Sequence, residues 1–167
     1  MPSLYEITVP IFSRALRNLD HLLAKASTSG VSEQDLLGAR LAPDMLPLTK
    51  QVQIACDTAK LAVTRVAQTD PLPMADEETS IAELRDRIAR TIAYIEKAEP
   101  TAFDGREAAE VILNLPNTQM TFTGQSLITD FSLPNFFFHV TTAYGLLRMK
   151  GVAIGKMDYL AGDRAGS

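Results

Sequence analysis

Apolar residues recur every three or four positions over four separate stretches, and that spacing limits the chain to helices packed on helices. In the first stretch Leu4, Ile7, Ile11, Ala15, Leu19 and Leu22 make one stripe, with Arg14, Arg17, Asn18, His21 and Lys25 on the opposite face. A helical period puts such residues on one side, and that side has to be buried against a neighbour. The pattern predicts a helix over residues 3–25. Pro10 lies inside it and removes one backbone donor, so the helix either kinks there or starts near it.

The second stretch predicts a helix over 48–68, entered between Pro43 and Pro47, with Val52, Ala55, Cys56, Ala59, Ala62, Val63 and Val66 inward. Small side chains there let another helix come close. The third runs from Ser80 to about Ala98. Ser80 and Glu83 have capping-box spacing, Ile81, Leu84, Ile88, Thr91 and Ile95 face inward, and Pro100 ends the helix at Glu99. The fourth is opened by Pro134 and closed near Lys150 by Gly151, the expected left-handed cap. Phe136, Phe137 and Phe138 point in three directions around its axis, so this helix needs cover on most sides, from its own bundle or a second subunit. Gly145 inside it costs about 1 kcal/mol relative to alanine and predicts a close helix crossing.

The connections are also readable. A short helix is predicted within 27–46, where Ser32 and Asp35 form a cap and Val31 and Leu36 a hydrophobic staple. Residues 69–79 form a polar loop broken by prolines. Val111, Leu113 and Leu115 alternate with Glu110, Ile112 and Asn114, and Met120 and Phe122 with Gln119, Thr121 and Thr123, around Pro116-Asn117-Thr118, predicting a small β-hairpin with a loop longer than the tightest. A lone hairpin is marginal in water and must lie on the bundle or a partner. The resulting expectation is one mainly α domain over 1–167, a four-helix bundle with a hairpin before its last helix, and a mobile tail over 161–167.

Composition excludes several functions. A net charge of −4, with acidic and basic residues interspersed, offers no basic face for nucleic acid. No run approaches the roughly 20 apolar residues that cross a bilayer. Cys56 is the only cysteine, so no intramolecular disulfide can form, and the N-terminal residues lack a signal-peptide pattern. A cytoplasmic protein is expected.

Chemistry-bearing motifs are scarce: HExxH, CxxC, the P-loop, GxGxxG and GxSxG are all absent. Of the two histidines, His21 sits among Arg14, Arg17 and Lys25 and reads as a solvated surface residue. His139 lies on a face with Asn135, Phe136, Thr142, Ala143 and Leu146, largely buried and partly polar. It reads as a satisfied core histidine, with an acid/base, ligand-binding or metal-binding role as the alternatives. Asp57 can pair with Lys60 at i,i+3 or turn inward to orient His139. Gln53, Asp57, Asn135, His139 and Tyr144 are the candidates to line a pocket.

Three segments carry a family resemblance: LPNFFFHVTTAYGLLRMKGVAIGKMDYLAG, the strand pair closing in FTG, and LAPDMLPLTKQVQIACDTAK. They resemble an uncharacterised bacterial family grouped with the DinB/YfiT-like metalloenzymes. The likeness spans nearly the whole chain. It implies a four-helix bundle, frequent dimerisation and, in other branches, a divalent metal on three histidines that activates a low-molecular-weight thiol. That pattern asks for one histidine from the second long helix and two at i,i+4 on the last. Here the second helix has none, and the position four residues after His139 is Ala143. The resemblance therefore implies the scaffold without the cofactor. Three readings follow: a homodimeric bundle binding a small molecule in a residual pocket; a transferase or hydrolase-like enzyme with His139 as base and Asp57 holding its tautomer; and a purely structural or interaction protein.

Overall fold

In a computed structural model describing residues 2–166, Pro10 opens the first helix instead of bending it. Helix α1 spans Val9–Ser27, behind a series of turns over residues 4–8. A first-turn position leaves its N–H unpaired in any case, so proline costs little there. Phe12, Leu16 and Leu23 are buried as fully as Leu19 and Leu22, while Ile7 and Ile11 are half-buried. The buried stripe is wider than the spacing predicted and slightly rotated.

The remaining long helices are α3 (Leu48–Ala67), α4 (Ile81–Ile95) and α6 (Leu133–Met149), with a short α2 (Glu33–Leu37) before α3. Helix α3 packs on α4 and α6, and α1 packs on the same two, closing a ring of four helices around one apolar core. This is the four-helix bundle the stripes required. Both halves of the capping box form at Ser80 and Glu83. Ser32 accepts from the Asp35 N–H, and Glu33 reaches across to accept from the Ile81 N–H at 2.8 Å, joining α2 to the start of α4.

Strands β1 (Glu110–Leu115) and β2 (Thr118–Thr123) pair antiparallel from Leu115↔Thr118 to Glu110↔Thr123. Thr118 belongs to the ladder, so the turn is Pro116-Asn117 alone, tighter than predicted. Val111 and Leu113 are buried and Ile112 between them is exposed, as alternation demands. Val111 joins the bundle core, and Phe122 meets Phe131 with ring centroids 5.7 Å apart, so the hairpin lies on the bundle. A short α5 (Gly124–Ser126) and a π-helical turn, Leu127–Ser132, lead into α6. Gly124 is required: a Cβ there would stand 2.1 Å from the Arg106 carbonyl oxygen.

Helix α6 ends as predicted. Gly151 has φ of +87°, and the N–H groups of Gly151 and Val152 bond back to Arg148 and Leu147 at 3.0 Å each. The prediction at Gly145 fails: among the described residues nothing lies within 4 Å of where its Cβ would be, so no helix of this chain crosses there.

The chain then folds back on α1 through α7 (Lys156–Ala161) and a 3-10 turn, Gly162–Gly166. Asn18, His21 and Lys25, assigned to a solvated face, are the residues it covers. Asn18 donates to the Tyr159 carbonyl at 2.9 Å, and His21 Nε2 and Lys25 Nζ each lie 3.0 Å from Asp158 Oδ1. Of the predicted mobile tail, residues 162–166 form this turn, and Ser167 lies outside the described residues. No helix among the described residues is long and apolar enough to cross a membrane.

Candidate functional site

The five pocket candidates separate into three places. The first is the contact between α3 and α6. His139, 8% exposed, lies with Nδ1 2.7 Å from Gln51 Oε1, and Asn135 one turn earlier donates to Thr58 Oγ1 at 2.9 Å. The Gln51 amide nitrogen donates to the Leu46 carbonyl at 2.9 Å, which fixes its oxygen as the acceptor. His139 therefore carries its proton on Nδ1 and keeps a lone pair on Nε2. Burial lowers its pKa from the ordinary histidine value, so the ring is neutral at pH 7.

The second place is the contact between α3 and α4. Asp57 Oδ1 sits 2.9 Å from Arg87 Nη2 and 2.9 Å from Lys60 Nζ. Gln53 donates to Glu78 Oε2 at 2.7 Å, and Glu78 Oε1 takes Arg87 Nη1 at 2.9 Å. Asp57 is thus engaged by two cations, and among the described hydrogen bonds none joins it to His139. The base-and-orienter pair anticipated for an enzyme is not assembled. Cys56, fully buried beside this network, has its thiol pushed up to about 12 by burial and stays protonated, so it is no nucleophile at neutral pH. The third place holds Tyr144 alone, its ring packed edge-on to Tyr159 of α7 at 5.8 Å.

Sequence reasoning missed Gln51, Thr58 and Arg87. Gln51, Ala55, Thr58 and Ala62 fall at i, i+4, i+7 and i+11, so two polar residues share a buried stripe. Arg87 stands between Leu84 and Thr91 on another and is 1% exposed. A polar residue at core spacing was the available signal, because burial obliges it to find a partner.

The donor set at the α3–α6 contact is one imidazole, two carboxamides and a hydroxyl. That set does not fit the three-histidine ion that the family resemblance implies for other branches. The other histidine, His21, pairs with Asp158 on α7, and among the described residues no three His, Cys, Asp or Glu side chains converge where an ion could sit.

Four helices ringed in this order, with a hairpin ahead of the last, define a DinB-like helical bundle. The crystal structure of a DinB family member protein from Shewanella denitrificans superposes with a TM-score of 0.85 at 41% identity, covering 95% of this chain and 92% of that one. The family described as "Domain of unknown function (DUF1993)" matches residues 4–160, and the chain belongs to that family. No protein of curated function matches it.

Proposed function

We propose that this chain is a DinB-like bundle working without a metal centre, as a homodimer that holds a small molecule beside His139. The observation that carries the reading is the Nδ1 contact of His139 with Gln51. The second long helix meets that ring with an amide oxygen and carries no histidine. Nε2 keeps its lone pair and can accept a hydrogen bond from a ligand hydroxyl or N–H, with Asn135 and Thr58 one turn away as further polar contacts. Gln53, Asp57 and Tyr144 have partners elsewhere and are set aside from this pocket.

Self-association is supported by the outer face of α6. Phe138 and Met149 are 54% and 51% exposed, and the open space at Gly145 lies between them on the same side of the helix. A glycine that none of the described residues approaches is accounted for by a helix from a second copy. The single, buried Cys56 supports residence in a reducing cytoplasm.

Elemental analysis of protein purified without chelator tests the metal, alongside His139→Ala. No stoichiometric divalent ion is expected in either, and an ion present in the parent and lost in the variant overturns the reading. Native mass spectrometry of the same sample tests the rest, with a dimer carrying a bound small molecule as the expected species. A strict monomer at high concentration removes the dimer.

A further inference from the structure

The connector between α3 and α4, residues 68–80, has no regular structure, yet side chains from beneath hold it at many points. Lys60 Nζ donates to the Leu72 carbonyl at 3.1 Å, the Tyr94 hydroxyl to Asp70 at 2.7 Å and Arg87 Nη1 to Ala75 at 3.0 Å. Two connector carboxylates come down onto the same guanidinium: Glu78 on Nη1 at 2.9 Å and Asp76 on Nη2 at 3.0 Å. Asp76 also takes Lys50 Nζ at 2.9 Å.

The charges divide unevenly. The helices bring three cations, Lys50, Lys60 and Arg87, and one anion, Asp57. Of the connector's four acidic residues, Asp76 and Glu78 pair with these cations and restore the balance. Lifted away, it would leave a surface with two positive charges in excess, and Arg87 and Lys60, now 1% and 5% exposed, would face whatever entered.

The hydrogen bonding beneath the connector is also incomplete. Arg87 Nε and Gln53 Oε1 are buried without a hydrogen-bond partner, two of the three such side-chain atoms among the described residues. Arg85 of the same helix meets its carboxylate through the Nε edge: Asp20 of α1 takes Nε at 2.7 Å and Nη2 at 3.1 Å in a two-point fork. At Arg87 three carboxylates crowd the two terminal nitrogens, and the fork edge at Nε is left empty. The connector carboxylates, tied to their backbone, neutralise the site without filling it.

We propose that residues 68–80 are a lid over an anion site made by Arg87, Lys60, Lys50 and Gln53, and that Asp76 and Glu78 stand in for a small dicarboxylate ligand. The ligand uses the Nε edge of Arg87 for one carboxylate and the lysines for the other, while the connector lifts. This site is separate from the α3–α6 contact and does not depend on what binds beside His139.

Succinate is the probe, with sodium chloride of equal ionic strength as the control. In Asp76→Asn/Glu78→Gln the lid loses the two carboxylates that reach the cations but keeps similar side-chain size, so the closed fraction that opposes binding falls and succinate binds about tenfold tighter than to the parent by calorimetry. Adding Arg87→Lys, which keeps the charge and removes the fork, abolishes that gain. His139→Ala leaves it unchanged, so failure here and failure of the α3–α6 reading are distinguishable. Equal affinity in parent and double variant, or a response that chloride reproduces, overturns the proposal. Should the double variant not fold, succinate titration of the parent by NMR decides: shifts confined to the connector, residues 50–60 and Arg87 support the site, and none there overturns it.

Discussion

His139 Nδ1 lies 2.7 Å from Gln51 Oε1, across the contact between the last long helix and the second. Gln51→Leu leaves a buried N–H with nothing to donate to. The expected cost is about 1–3 kcal/mol in urea denaturation, more than a surface substitution gives.

The same ring sets a pH dependence. Burial lowers its folded pKa below the ordinary 6.5, so on acidification the unfolded chain takes up this proton first. The contribution is fully present above about pH 6.5 and declines as the pH falls towards the folded value. Denaturation curves across this range should show the slope in the parent and lose it in His139→Gln.

Asp158 acts in a more acidic window. Burial alone would raise its carboxyl, but hydrogen bonds from His21, the Gly155 N–H and Lys25 outweigh that and hold it at about 2, below the usual 3.8. The lowered value means stability present above about pH 4 and lost as the pH falls through 2, on the order of 2 kcal/mol in all. Asp158→Asn should lower the melting temperature at pH 7 by several degrees, and the gap should close near pH 2.

Two glycines should respond in opposite directions. Gly124→Ala forces a Cβ to within 2.1 Å of a backbone oxygen and should destabilise strongly, whereas Gly145→Ala meets open space. In a monomer the second gains about 1 kcal/mol of helix propensity. In the proposed dimer it loosens association instead, so melting temperatures measured over a range of concentrations separate the two.

Arg87→Met removes the cation that Asp57, Asp76 and Glu78 share and leaves them facing one another. A loss of about 3–5 kcal/mol is expected by chemical denaturation, as for breaking a buried ion pair. Trimming Arg90, exposed on the same helix, should change little.

The four long helices were legible because a 3.6-residue period reports burial directly, and the capping box at Ser80 and the cap at Gly151 are local signals. What could not be read was which element covers which. Asn18, His21 and Lys25 look solvated until α7, remote in sequence, lies over them. Gln53 and Asp57 lie on the far side of α3 from Gln51, where Glu78 of the connector and Arg87 of α4 meet them. A pocket assembled from helical spacing alone could not know the partners on other helices, and so it joined three separate contacts into one.

The clamp between His21 and Asp158 joins residues 137 positions apart. During synthesis α1 must wait with this face uncovered until the 137 residues up to Asp158 have followed it. Closing so long a loop is slow and comes late, so a helix made well before its cover is among the last of this bundle to be finished.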